Sequence, residues 1–248
     1  MLLLKNTNCL KLIKAMKNKL LFYFQFILTS VNYLFNKRFN ENNIIKNISG
    51  DKLVIFDVGS NTGVFIKSVS KNLKNKQIDF HSFEPYKELC ILQKNIKLSK
   101  NQNLKINNLA ISDVIETKNF YERSISSHSS LYKNPQIEGL SSVKRVHHIK
   151  ATTLDQYCKE NEIEKIDLLK IDVEGHDFNV LLSCKALLIE SRIKLIKVEI
   201  FTNNKNLTNI FSTLESFNYR LIGITNNSFF NKELKFFDAY FASSDYIV

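Results

Sequence analysis

The 248-residue sequence has no tryptophan, only two prolines and six glycines, and just four cysteines. So little proline and glycine excludes a collagen-like chain or an extended linker array. Cys9, Cys90, Cys158 and Cys184 stand far apart. No C-x-x-C pair exists, so neither a zinc ribbon nor a dithiol redox site is expected. Scattered through helical-looking stretches, they read as reduced, small apolar residues of a cytoplasmic protein. Arginine is scarce beside lysine, and no arginine cluster or basic–aromatic interleaving marks a nucleic-acid surface. Acid is scarce at the amino end. Residues 1–50 hold eight Lys/Arg and one acid, so they carry +7 of the formal +11.

What is present is an ordinary globular core, with 44% apolar residues. Residues 1–50 read as a basic helical appendage and residues 51–248 as one α/β domain. Within the appendage, Leu20, Phe24, Ile27, Val31 and Leu34 recur at helical spacing. The run is shorter than the ~20 apolar residues a membrane span needs. Such a stripe packs on the domain or lies on an anionic membrane surface.

From Asp51 onward strands and helices alternate, which predicts a mostly parallel sheet with helices on both faces. Strands are expected at 53–59, 78–85, 104–112, 166–175 and 193–200. Helices are expected at 63–73, 86–98, 177–190 and 207–217. Segments 219–225 and 238–244 are joined by too short a link for a crossover helix, so they should form an antiparallel edge pair. Residues 114–151 are polar and aperiodic, and are expected to be a short hairpin and a loop over the site, followed by a strand near 145–150.

The first strand ends in Asp57-Val58-Gly59-Ser60-Asn61-Thr62-Gly63. The turn is neither G-x-G-x-x-G nor a P-loop. That spacing, with no Tyr-x-x-x-Lys pair after the fourth strand, disfavours an NAD-dependent oxidoreductase. Glu84, at the end of the next strand in Phe83-Glu84-Pro85, follows Gly63 at the distance from which a carboxylate reaches the ribose hydroxyls of an adenosine-type cofactor. The fourth strand ends in Asp172-Val173-Glu174-Gly175-His176-Asp177. Asp172, Glu174 and His176 are the candidate proton acceptors there, with His176 alone near neutrality in its ordinary pKa. Glu199, at the end of the fifth strand, could complete an acidic trio of the kind that suits Mg²⁺, but spacing alone identifies no metal site. An Asn/Asp-Pro-Pro-aromatic turn, which would stack a flipped base, is missing.

The set DVGSNTG, FEP, Asn108-x-Ala110-x-x-Asp113, Thr153-Leu154-Asp155 and IDLLKIDVEGHD resembles the FkbM-type methyltransferases in order and spacing. The resemblance covers roughly residues 53–200. It implies a class I, Rossmann-like methyltransferase fold with S-adenosylmethionine as methyl donor. It further implies O-methylation of a sugar, glycan or related small metabolite. Carried over residue by residue, Asp57, Gly59, Asn61 and Gly63 would line the methionine and ribose part of the cofactor. Glu84 would hold the ribose diol and Asp113 would sit near the adenine amine. A non-catalytic module that keeps the fold is the alternative, against which the intact Glu84 and Asp172 speak.

Overall fold

The computed structural model describes residues 41–124, 129–131, 141–202, 206–230 and 233–246. The apolar stripe of residues 20–34 and the centre of the polar loop lie outside them. In chain order the elements are α1 (Glu41–Lys46), β1 (Lys52–Val58), α2 (Val64–Asn72), β2 (Gln77–Phe83), α3 (Lys87–Gln93), β3 (Gln102–Asn107), β4 (Ala110–Ile111), β5 (Glu116–Arg123) and β6 (Val143–Thr152). They continue as α4 (Leu154–Glu160), β7 (Ile166–Ile171), α5 (Asp177–Leu182), α6 (Lys185–Ile189), β8 (Ile193–Phe201), α7 (Asn206–Ser216), β9 (Tyr219–Phe230) and β10 (Glu233–Ser243).

The main sheet runs β3-β2-β1-β7-β8-β10-β9. The first five strands in that order pair in parallel, and β10 pairs antiparallel with both β8 and β9. This is the expected class I, Rossmann-like arrangement with its antiparallel edge. A second sheet, β4-β6-β5, stands beside it. There β5 pairs antiparallel with β6, the strand expected near 145–150, instead of closing a short hairpin ahead of it.

Strand periodicity assigns the two faces. Leu53 and Ile55 of β1, Leu168 of β7, Leu195 of β8 and Tyr240 and Ala242 of β10 are buried with Ile44, Ile45 and Ile48 at α1 and with Ile66 and Val69 of α2. The alternate residues Phe56, Val58, Leu169, Ile171, Ile196 and Val198 are buried with side chains of α4 to α7. The central strands are therefore apolar on both sides, as in parallel sheets covered by helices.

Three departures from the sequence expectation have local causes. The strand expected at 104–112 divides, because Asn108 turns the chain by donating from Nδ2 to the carbonyls of Glu84 (3.1 Å) and Pro85 (2.9 Å). The helix expected at 177–190 divides at Ser183–Cys184. Asp155 caps its second half by accepting from the Ala186 and Leu187 amides at 3.0 and 3.1 Å. Residues 41–48, expected in the appendage, send three isoleucines into the core of the domain. Among the described residues no helix is long and apolar enough to cross a membrane.

Candidate functional site

The sheet face covered by α1 and α2 is apolar at the amino ends of its strands and charged at their carboxyl ends. Two residues beyond Ile55 stands Asp57. Lys170 and Asp172 follow Leu168, and Lys197 and Glu199 follow Leu195. Asp57 is the register partner of Lys170, Lys170 of Lys197, and Lys197 of Tyr240. Glu199 pairs in the same way with Asp238. A polar row thus crosses four strands at the bottom of a cavity of about 660 Å³. Its position outside the carboxyl ends of the strands is where open α/β sheets bind ligands.

One end of the cavity is built on β1 and β2. Gly59 and Gly63 both have positive φ, 76° and 77°, where a side chain is strained. At Gly59 space forbids one as well, since a Cβ would lie 1.9 Å from the Asp172 carbonyl oxygen; at Gly63 it would lie 2.3 Å from Ile96 Cδ1, a side-chain end that would have to move. The turn is held from behind by Gln93, whose Nε2 donates to Ser60 Oγ at 2.9 Å and to the Asn61 carbonyl at 2.6 Å. Glu84 is buried, and its two carboxyl oxygens accept from the Asn61 amide (2.8 Å) and the Tyr86 amide (2.9 Å). Burial pushes its pKa up to about 7 despite those hydrogen bonds. Phe83, Pro85, Leu89, Ile111 and Phe120 give this end an apolar wall.

The middle of the cavity is lined by Lys170 and Asp172, with Asp57 fully buried against Lys170. Lys170 Nζ lies 3.0 Å from Asp57 Oδ1 and 3.2 Å from Asp172 Oδ2, and it donates to the Gly59 carbonyl at 3.2 Å. Burial raises the pKa of Asp57, and the Lys170 ammonium opposes the rise. For Lys170 burial works toward the neutral amine, but Asp172 and Asp57 outweigh it and raise its pKa.

The other end rests on β8 and β10. Oxygens of Asp172, Glu174 and Glu199 all lie within 4.8 Å of one another. A divalent cation could bridge such a group; without one, the charges repel. Burial first, and then repulsion from Asp172 and Asp177, push Glu174 up to about 8. Burial, followed by Asp172, Glu174, Asp177 and Asp238, pushes Glu199 up to about 10. Beside them Lys197 Nζ pairs with Glu41 Oε1 at 2.7 Å and Asp238 Oδ2 at 2.9 Å. Glu41 comes from α1 and also accepts from the Tyr240 hydroxyl at 3.0 Å.

The structure therefore brings Gly59, Asn61, Glu84, Asp172 and Glu174 around one cavity, with Asp57 fully buried against Lys170 and Gly63 starting the helix behind the turn. Two of the expected residues lie elsewhere. His176 is not in the cavity wall. Its Nε2 is 2.9 Å from Ser112 Oγ, which itself donates to Asp113 at 2.9 Å. Burial lowers the His176 pKa to about 4. With the serine proton given to Asp113, Nε2 must carry the donor hydrogen and has no lone pair for a substrate. Asp113 is likewise drawn into this Ser112 network rather than into the cavity wall, and its pKa lies below the usual carboxylate value. Burial opposes that shift; hydrogen bonds from Ser112 and Asn179 overcome it. His147, one of two adjacent histidines, pairs with Glu122 at 2.8 Å outside the cavity wall.

Sequence reasoning missed Lys170, Lys197, Glu41, Asp238 and Gln93. The two lysines had a readable signal: Lys170-x-Asp172 and Lys197-x-Glu199 repeat the same charged spacing at the ends of neighbouring strands.

The profile of the methyltransferase FkbM domain matches residues 57–221. Among solved structures, methyltransferase FkbM from Methylobacillus flagellatus KT superposes with a TM-score of 0.52 at 13% identity, over 77% of this chain and 44% of that one. The chain thus spans less than half the length of that protein, and the likeness shows the fold. Weaker likenesses include precorrin-6y C5,15-methyltransferase from Geobacter metallireducens GS-15, with 12% identity, 84% and 93% coverage and a TM-score of 0.44. Another is M. capricolum TrmK in complex with S-adenosylhomocysteine, with 13% identity, 83% and 68% coverage and a TM-score of 0.43. No curated protein matches the chain.

Proposed function

The chain belongs to the FkbM family of S-adenosylmethionine-dependent methyltransferases, and on that premise we propose that it methylates a hydroxyl oxygen of a sugar, glycan or related small metabolite. S-adenosylmethionine, when bound, supplies an electrophilic methyl group on a sulfonium. The residues of the β1–β2 end suit that cofactor. The glycine turn leaves its backbone uncovered, Glu84 presents a buried carboxylate to a diol, and the apolar wall suits an adenine ring. Asp57 Oδ2 is buried without a hydrogen-bond partner among the described residues. With Asp172 beside it, that oxygen favours the positive charge of an amino-acid ammonium.

The observation that carries the reading is the chemical division of one cavity into a diol-binding, apolar end and a carboxylate-rich end. A hydroxyl that attacks a methyl carbon must lose its proton, and the acceptor of that proton works best when its pKa lies near the working pH. Glu174, raised to about 8 and lining the cavity, meets both conditions. Asp172 has Lys170 against one oxygen and orients; it is the second carboxylate within reach. Lys197, Glu199 and Asn226 add donors and acceptors of the kind that recognise a polyol.

The test is incubation of the full chain with isotope-labelled S-adenosylmethionine and a panel of methyl glycosides, amines and thiols, read by mass spectrometry. Label on a glycoside oxygen, lost in Glu174→Gln, supports the reading. Label confined to nitrogen or sulfur acceptors contradicts it. The +7 charge of residues 1–50 and their apolar stripe support a second element of the proposal, reversible contact of a cytoplasmic enzyme with anionic membranes. Co-sedimentation with phosphatidylserine vesicles at low salt but not at high salt is expected; no co-sedimentation at low salt contradicts it.

A further inference from the structure

Lysine carries its charge on one short ammonium, and Lys170 sets that ammonium within 3.2 Å of oxygens from three different parts of the site. Asp57 Oδ1 belongs to β1, Asp172 Oδ2 to the residue just past β7, and the Gly59 carbonyl to the glycine turn. The side chain is almost wholly buried, at 8% exposure. We propose that Lys170 is a positioning residue of the cofactor site, which acts by holding the Asp172 carboxylate and the Gly59 turn in one fixed arrangement. The proposal rests on the cofactor reading above and assigns Lys170 no contact with the reacting atoms.

Three observations carry it. The first is the cost of the arrangement. Taking the Lys170 ammonium and the Asp57 carboxylate out of water is expensive, and well-packed apolar residues in their place are commonly as stable or more so. The same sheet face shows that solution one layer lower, where Ile55, Leu168 and Leu195 occupy the equivalent positions. A floor that needed only stability would continue in that pattern.

The second is the fit between the turn and Asp172. Gly59 has no side chain because the Asp172 carbonyl oxygen fills the place of a Cβ. The Asp172 amide in turn donates to the Val58 carbonyl at 3.1 Å. Backbone packing fixes how close the two segments come, and the Lys170 ammonium fixes the directions of the carboxylate and the carbonyl above it. The third is confinement. Phe65 of α2 lies against the same ammonium, with its ring centroid 5.8 Å from Nζ. The amine therefore has a wall as well as three acceptors, and its position is determined.

A double-mutant cycle separates positioning from simple charge balance. Lys170→Met alone would strand Asp57 as a buried unpaired anion, so the cycle is run in an Asp57→Asn background. S-adenosylhomocysteine is the probe, titrated calorimetrically into the full chain. Adding Lys170→Met is expected to weaken binding about tenfold, the scale of one hydrogen bond to a charged group, while the melting temperature stays close to that of Asp57→Asn. Adding Asp172→Asn is expected to weaken binding by a similar factor, and the triple variant should be no weaker than Asp57→Asn/Asp172→Asn by more than about twofold. In protein carrying ¹³C-carboxyl aspartate, the Asp172 signal, identified by its loss in Asp172→Asn, should move when Lys170 is replaced.

Either of two results overturns the proposal. One is Asp57→Asn/Lys170→Met binding S-adenosylhomocysteine as Asp57→Asn does, which reduces Lys170 to a counter-charge. The other is a Lys170 effect undiminished when Asp172→Asn is also present, together with an unmoved Asp172 signal. Failure of the unaltered chain to bind S-adenosylhomocysteine would instead reject the cofactor reading itself.

Discussion

Lys170 and Lys197 are register partners on adjacent strands, both are buried, both touch the Phe65 ring, and each bridges two carboxylates. Their partners come from different places. Lys170 draws Asp57, Asp172 and the Gly59 carbonyl from inside the family-matched segment. Lys197 draws Glu41 and Asp238 from outside it, and among the described residues those two carboxylates are its hydrogen-bonding partners. The β1–β2 end is thus assembled by the family-matched part of the chain, and the β8–β10 end is completed by its flanks. The family match therefore covers the whole of the first end, and the carboxylate trio and Lys197 of the second but not Glu41 and Asp238.

The sharpest way to break this division is at Glu174. Glu174→Gln keeps the shape of the side chain and removes the proton acceptor. Turnover is expected to fall about 10²–10⁴-fold, with S-adenosylhomocysteine affinity within about twofold of the unaltered chain. Turnover that survives would move the base to Asp172. Next in size is the removal of α1. A chain beginning at Ser49 lacks Ile44, Ile45 and Ile48, each contributing about 1.5–3 kcal/mol when fully buried. Compared with a chain beginning at Asn40, calorimetry should show its melting temperature lower by on the order of 10 °C. Equal melting temperatures would mean that the flank is not integral to the domain.

Glu41→Ala should act on the acceptor end alone. It leaves Lys197 with Asp238, and the KM for the acceptor should rise about tenfold while cofactor binding is unchanged. A matching loss of cofactor affinity would erase the distinction between the two ends.

The smallest effect expected is on stability. Glu174 and Glu199 have pKa values raised to about 8 and about 10 in the folded chain, against about 4.3 for a free Glu. The folded state therefore binds more protons than the unfolded state above pH ~4.3, so stability falls as pH rises through the folded values. Melting temperature should decline from pH 5 to pH 9. Glu199→Gln, which mimics the protonated form, should flatten that decline by a few degrees, on the order of 5 °C. A parallel decline in both proteins would mean that Glu199 is not the group responsible.

The fold was legible because its evidence is local. Alternating apolar runs and turn residues located the parallel strands, and the short link after 225 marked the antiparallel edge. The glycine turn and Glu84 were legible for the same reason, since both lie at strand ends that periodicity identifies. At the β8–β10 end the strand-end carboxylates Asp172, Glu174 and Glu199 were legible too, but Lys197, Glu41 and Asp238 were not, because they meet only through the sheet order. Glu41 and Lys197 are 156 residues apart, and nothing in either neighbourhood refers to the other. His176 misled because a histidine in a strand-end loop has the ordinary pKa of a base. Only the structure shows its Nε2 committed to Ser112 and its pKa lowered by burial. Gln93 was hidden in an ordinary helix, where its side chain turns inward to hold the Asn61 carbonyl.

On the proposed function the cofactor occupies the β1–β2 end and the acceptor the β8–β10 end of one cavity. Calorimetric titration of S-adenosylhomocysteine into Glu84→Ala and Lys197→Met tests it in a single comparison. Glu84→Ala should weaken binding by about 1.5–3 kcal/mol, the range for hydrogen bonds to a charged group, and Lys197→Met should bind within about twofold of the unaltered chain. Unchanged affinity in a folded Glu84→Ala, or a loss of that size confined to Lys197→Met, would contradict the account.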